Sequence, residues 1–446
     1  MPGFTNKHLK LALFIFFMTV IRAGLLYYNS HTLELNPDEY PNYHLAENWL
    51  QGKGYTRYDP ATQTEKKFAF YATFPVWVYA LFLHFKISIS YWVLLVHLGA
   101  LLFYALSGFY FYKTLSLFIT SERLQFWGLV IYAIYPSTLF YIGSLFWYEN
   151  ITMPIMVIVF YYLLLLLQNR QIPRFVAVLI PILVTLSILF RGQLLFIYFL
   201  TFSAFLFSLF QQFRKSRHFP RTAIAISLAT LMLVVISHIP IIMKNHRLFG
   251  GILLSTQPGF ELWQGHNPFA DGKWTMDWTD PGEPLYDYTI ARLPNLHQLD
   301  QYTESRERAK LALEWLKQNP TGELLLIGRK LKVYFTPNNS PFYPGTSLPG
   351  YNWPNPINLL VHLLFITALT FAIVNNKYFG FSPAETFCLT PIIASILLSL
   401  IFFFGYRWRF YAEPYLILFS FVFLQKLINY RHPKAKARAA VPNYSA

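Results

Sequence analysis

The sequence predicts an all-α polytopic membrane protein of about ten transmembrane helices, with a mixed loop domain on the outer side of the membrane. Three observations carry that prediction. The 446 residues are 55 % hydrophobic and 19 % aromatic, more apolar than an ordinary soluble domain. Apolar runs near twenty residues recur along the chain, long enough at about 1.5 Å per residue to cross about 30 Å of hydrocarbon. Lysine and arginine collect in the short connections on one side of that arrangement.

Taken in order, hydropathy places spans near 8–27, 90–112, 125–143, 150–168, 175–190, 192–213, 222–243, 357–374, 387–404 and 411–429. The first run is too long for a signal-peptide core and lacks a small-residue cleavage site, so it reads as a retained span. The apolar stretch at 73–86 is too short to cross and carries Pro75, His84 and Lys86. It reads as a helix lying on the surface. With the N-terminus inside, segments 1–10, 113–124, 169–174, 214–221, 375–386 and 426–446 face inward. They hold sixteen lysines and arginines against Glu122 and Glu385, a net +14 out of the chain's +15. The basicity is therefore a topology signal and calls for no nucleic acid. The tail from Arg431 to Arg438 suits contact with anionic membrane lipids. A single cysteine, Cys388, leaves no disulfide framework.

The same parity divides the chain in three. An N-terminal transmembrane module (1–243) carries a first outer loop at 28–89. A large outer-side domain (244–356) is too long for a simple connection and must fold. C-terminal helices and a basic inner tail complete the chain (357–446). In the outer domain, Ala309, Ala312, Leu313 and Leu316 form an apolar stripe ended by Asn319-Pro320. Leu324 to Phe335 forms a second helix lying on the membrane. Trp263, Trp274 and Trp278 suit an interface.

The first outer loop holds the stretch Asn36-Pro-Asp38-Glu39-Tyr-Pro41. Asp38 can cap a helix whose first turn takes Pro41, whose Tyr43, Ala46 and Leu50 share a face, and which Gly52 and Gly54 stop. Both carboxylates then lie at the electropositive helix end. Asp38 is thus either a cap or a reactive carboxylate. Arg22, Arg191, Arg407, Arg409, Lys66 and Lys67 fall on the same side, with Glu149 as a further carboxylate that can also cap its helix. A charge at the membrane edge is costly and marks function by default, although a single arginine there can also snorkel to headgroups. Several cations beside carboxylates at headgroup depth suit a lipid-linked phosphate. The outer histidines lack ligand spacing, so no catalytic metal is expected. The sequence shows no dinucleotide or Walker motif.

Asn36-Pro-Asp38-Glu39 with Tyr43, Ala46, Gly52 and Gly54-Tyr55 resembles the first-loop signature of membrane glycosyltransferases of the GT-C superfamily. The similarity is closest to the branch containing protein O-mannosyltransferases, the aminoarabinose transferase of lipid A and the rhizobial lipopolysaccharide transferases. Gly265-His266-Asn267-Pro268-Phe-Ala270-Asp-Gly272 resembles that branch's Gly-Asn-Asn-Pro-x-Ala-x-Gly stretch. Ala309 to Pro320 with Lys330 and Phe335, then Tyr406-Arg407-Trp-Arg409 with Pro414, resemble its later segments in the same order. The chain departs from the pattern at Gly192 and His266, where the family usually has proline and asparagine. It also reduces a Pro-Pro pair to Phe74-Pro75.

The resemblance implies a GT-C-like fold in a bacterial cytoplasmic (inner) membrane, with the site facing the periplasm. It implies an inverting transfer from a polyprenyl-phosphate sugar to a lipid, glycan or protein acceptor of the cell envelope, such as lipopolysaccharide. Asp38 is then the first choice as base and Glu39 the second. Lys67, Glu149, Arg191, His266, Asn267, Arg407 and Arg409 would contact substrate, the lysine and arginines at the phosphate. Two other readings are open, a lipid or glycan transporter (or flippase) and a polymer ligase. A transporter favours charges at mid-membrane and repeated halves, whereas here the charges gather at one edge. The topology itself is testable: reporter fusions at residue 300 should read outside, and fusions at 217 and 440 inside. An inside signal at 300 would break the shared site.

Overall fold

A computed structural model of the chain describes residues 6–29, 39–59, 63–70, 72–135, 147–216, 220–273, 281–336 and 356–431. Asp38, Trp274, Trp278 and the basic tail beyond Arg431 lie outside the described residues. The described chain is almost wholly helical. In order come α1 (Asn6–Asn29), α2 (Tyr40–Leu50), β1 (Thr56–Asp59), β2 (Thr64–Lys67), α3 (Thr73–His84), α4 (Ile89–Phe118) and α5 (Glu122–Ile134). Then follow α6 (Trp147–Leu167), α7 (Arg174–Phe190), α8 (Leu194–Ser216), α9 (Arg221–Phe249), α10 (Gln257–Gly265) and α11 (Pro284–Arg292). After them come α12 (Gln301–Gln318), α13 (Pro320–Phe335), α14 (Pro356–Val374), α15 (Asn376–Phe379), α16 (Pro383–Cys388), α17 (Thr390–Ile401), α18 (Tyr406–Phe410) and α19 (Glu413–Arg431).

Each stretch expected to span contains helix, and six helical segments among the described residues are long and apolar enough to cross a bilayer. They are Ile89–Phe118, Tyr148–Leu167, Leu194–Arg214, Arg221–Phe249, Pro356–Val374 and Pro383–Ile401. The pattern on α9 says which solvent they face. Its inward side carries Ser227, Thr230, His238 and Asn245, all buried, while Leu228, Leu231, Met232, Val235 and Ile236 are more than half exposed. Polar in and apolar out is stable only where the surroundings are hydrocarbon. The chain is a membrane-embedded protein. Pro154, Pro181 and Pro240 sit inside α6, α7 and α9, a substitution pattern that packed membrane helices tolerate.

Helix α6 is central, with 78 % of its apolar window buried against 22 % for α4. It packs on α4, α7 and α8, and α19 packs on α5, α14 and α17. The basic connections meet at one end of this bundle. There the Ser121 amide donates to Gln425 Oε1 at 3.0 Å, Gln212 donates to the Leu167 carbonyl at 2.8 Å, and Lys426 pairs with Glu385 at 2.9 Å. Ser382 and Glu385 close a reciprocal cap on α16.

At the other end sit the first outer loop and the outer domain. Helix α2 stops as expected, at Gly52 (φ +78), where Gly52 and Lys53 amides donate to Trp49 and Asn48 carbonyls. Its buried face differs from the expectation. Asn42, Leu45 and Ala46 are buried, whereas Leu50 is 47 % exposed. The hairpin β1–β2 (Thr56 opposite Lys67) was not legible in the sequence, since charged Thr-Glu-Lys-Lys shows no apolar alternation. At 12 residues, about 18 Å long, α3 is too short to span.

In the outer domain α12 packs on α10, burying Ser305, Arg308 and Ala312. Leu313, placed in the stripe from sequence, is 50 % exposed. The stripe is rotated because Arg308 turns inward, paired with Glu304 at 2.8 Å and lying over Phe260. Trp263 is buried inside this domain instead of at an interface.

Close backbone approach docks the domain on the bundle. A Cβ on Gly265 would stand 1.8 Å from the Phe402 carbonyl oxygen, and Phe404 donates to the Gly272 carbonyl at 2.8 Å. Gly265→Ala should therefore cost about 1–3 kcal/mol in thermal unfolding. Gly328→Ala, with open space around it, should be neutral or gain up to about 1 kcal/mol. Equal stability of the two variants would refute the docking contact.

Candidate functional site

The C-terminus of α17 is the seat of the outer domain. The last carbonyls of a helix have no partner within it and attract cations. Lys330, fully buried on α13, donates to the Leu400 carbonyl at 2.9 Å. His266 Nε2 lies 2.6 Å from the Ile401 carbonyl and 3.2 Å from Lys330 Nζ, and its Nδ1 lies 3.0 Å from Glu323 Oε2. Asn267 donates to the Trp263 and Gln264 carbonyls and accepts from Phe269 N–H at 2.8 Å, closing α10. Arg409 donates to the Tyr334 and Thr336 carbonyls at 2.8 and 3.0 Å, and its Nε lies 3.4 Å from Glu413. The hydrogen bonds of His266, Asn267 and Arg409 thus run to this chain's own groups, and those of His266 and Arg409 fasten the domain.

Beside that seat, the first loop sits on the ends of α6, α7 and α9. Leu45, Ala46, Tyr55, Val76, Tyr79 and Tyr148 form one apolar cluster, with Phe190 and Leu248 at its edge. Glu39 occupies the N-cap position of α2 but makes no capping bond, and its side chain is buried. It lies within electrostatic reach of Tyr148, as do Glu149 and Arg191. Asn42 donates to the Tyr148 hydroxyl at 2.7 Å.

Glu149, in the first turn of α6, has no exposed surface and meets Arg191 Nη2 at 3.3 Å. Both stand where helix dipoles favour them, the acid at an N-terminus and the guanidinium at the C-cap of α7. Among the described residues, neither Glu149 oxygen nor Arg191 Nε has a hydrogen-bond partner. Buried groups of that kind call for a partner or a ligand. Tyr411 interacts electrostatically with both and shares a 2.8 Å hydrogen bond with Thr152.

The structure therefore brings Glu39, Glu149 and Arg191 together, with Arg409 alongside through Tyr411 and Glu413. Buried Arg22 joins the same end, donating to the Ala133 carbonyl at 3.0 Å and lying 4.7 Å over Tyr104. Lys67 stands apart at the hairpin, donating to the Leu248 carbonyl at 3.1 Å, and Lys66 reaches the His297 carbonyl at 2.7 Å. Asp38 and the Arg407 side chain lie outside the described residues. Sequence reasoning missed Glu413, Lys244 and Tyr148. Lys244, which donates to Thr73 at 2.9 Å and lies 4.1 Å over Tyr55, satisfies the rule that singled out Arg22, an ionisable residue inside an apolar run. Glu413 is marked by its spacing from Arg409. Tyr148 carries no comparable signal. Among the described residues no three His, Cys, Asp or Glu side chains gather as metal ligands. Neither a protein-family model nor a curated protein matches the chain.

Burial pushes the Lys330 ammonium down to about 8, with Glu323 pulling the other way. Burial, then Lys330, pushes the His266 imidazole below its ordinary value. An unfolded lysine holds its proton to about 10.4, so between about 8 and 10.4 the unfolded chain binds more protons and stability rises with pH. Thermal unfolding should show that rise, lost again as pH falls to 8, and Lys330→Met should flatten it. An unchanged slope in the variant would refute the assignment.

Proposed function

We propose that the chain is an integral membrane glycosyltransferase of GT-C type, with ten spans. It would move a sugar from a polyprenyl-phosphate donor to a lipid, glycan or protein acceptor at the outer face. The observation that carries this reading is the convergence of Glu39, Glu149 and Arg191 at one end of the bundle, next to the first outer loop. Three segments far apart in sequence bring two buried carboxylates and a guanidinium to one place. Charge at one end, and not at mid-membrane, favours an enzyme of the membrane surface over a transporter.

In this reading a carboxylate of the first loop, Asp38 before Glu39, takes the proton of the acceptor hydroxyl. The hydroxyl oxygen bonds to the anomeric carbon as the bond from that carbon to the phosphate oxygen breaks, with inversion. The departing polyprenyl phosphate keeps the electron pair, and cations stabilise it. Arg191 is the first of these, because it stands against buried Glu149 beside the first loop and its planar fork suits phosphate. A polymer ligase would use the same chemistry with a longer donor.

The test is transfer of label from a panel of polyprenyl-phosphate sugars by purified protein. Asp38→Asn should reduce turnover by roughly 10² to 10⁴ while keeping the fold, since asparagine matches aspartate in size and position 38 lies outside α2, whose N-cap is Glu39. Arg191→Lys should weaken donor binding with its charge retained. Full turnover in a folded Asp38→Asn protein would rule Asp38 out as the base.

A further inference from the structure

The outer domain holds a cavity of about 230 Å³ between α10, α11 and α12. Trp263, Tyr288 and Trp315 line it with aromatic surface, and Arg292, Glu314 and Gln318 supply its polar groups. The aromatic part is held in place. Trp263 is buried, its indole N–H donates to Thr289 Oγ1 at 2.8 Å, and its ring stacks on Tyr288 at 6.1 Å between centroids. Arg292 lies 4.8 Å over the Tyr288 ring. The polar part is open. Glu314 and Gln318 stand one helical turn apart on α12, both exposed. Among the described residues neither side chain carries a hydrogen bond or ion pair.

We propose that this cavity binds a neutral pyranose, one unit of a glycan on the outer side. Three features select that ligand. The Trp315 ring, backed by the Trp263–Tyr288 stack, presents a negative π surface to the C–H side of a sugar. A carboxylate, an amide and a guanidinium together accept from and donate to neighbouring hydroxyls. One cation and one anion cancel, so the site prefers neither a phosphate nor an amine. The volume is below the roughly 300–1,000 Å³ of pockets for larger organic ligands, which fits a single ring. The proposal does not depend on the transferase reading. If that reading holds, the cavity would seat a sugar of a glycan acceptor.

Binding is measured apart from transfer, so the two ideas fail separately. Full-length protein in a detergent without a sugar headgroup is tested by saturation-transfer NMR against glucose, galactose, mannose and N-acetylglucosamine. At least one sugar should receive saturation at its ring C–H protons. Trp315→Ala should weaken its binding about tenfold, and Glu314→Ala and Gln318→Ala several-fold. Trp315 is partly packed, so the two exposed variants decide the matter if Trp315→Ala fails to fold. No saturation of any sugar would overturn the proposal. So would wild-type affinity in both Glu314→Ala and Gln318→Ala, or binding of sugar phosphates without any neutral sugar.

Discussion

In a bundle whose outer faces are apolar, every polar side chain must find its partner inside the protein. Hydrocarbon offers none, and an unmatched polar group there costs several kcal/mol. This constraint orders the rest of the molecule. It turns Ser227, Thr230, His238 and Asn245 of α9 inward and leaves leucines and methionine facing out. It also ties Lys426 to Glu385 at one end of the bundle and Arg191 to Glu149 at the other. Charges that cannot reach water are held where helix termini supply a compensating dipole.

The same constraint explains how a large polar domain stays attached to a lipid-facing bundle. Helix α17 ends in carbonyls that no further turn satisfies. Lys330 and His266 approach them from the outer domain, and Arg409 returns the favour by donating to the end of α13. Buried cations on helix C-termini, seated through the close approach at Gly265, make the junction specific in register. A merely apolar junction would allow sliding.

This junction also bears on the site. Arg409 and His266 fasten the domain, whereas Glu149 and Arg191 meet each other beside the first loop and keep atoms without a hydrogen-bond partner among the described residues. The first loop is locked to both neighbours, since Ala69 exchanges hydrogen bonds with Gln301 and Thr256, and Lys67 holds the end of α9. A site built between three anchored parts is held more tightly than one on a free loop.

Membrane embedding, the helix after Glu39 and its glycine stop were legible in the sequence. They follow from local quantities, namely apolar run length, turn residues and charge asymmetry. That Arg22, Arg191 and Arg409 need partners was legible for the same reason, because a charge in an apolar run is costly wherever its partner lies. The partners were not. That Arg191 meets Glu149, that Arg409 grips the carbonyls of Tyr334 and Thr336, and that Lys67 serves a helix end depend on contacts between residues tens to hundreds of positions apart. Even local periodicity failed where such a contact intervened. On α12 the inward turn of Arg308 towards Glu304 and Phe260 rotates the buried stripe away from Leu313. Local physics decided which segments are helical and which solvent they face, and only tertiary packing decided which buried charge answers which.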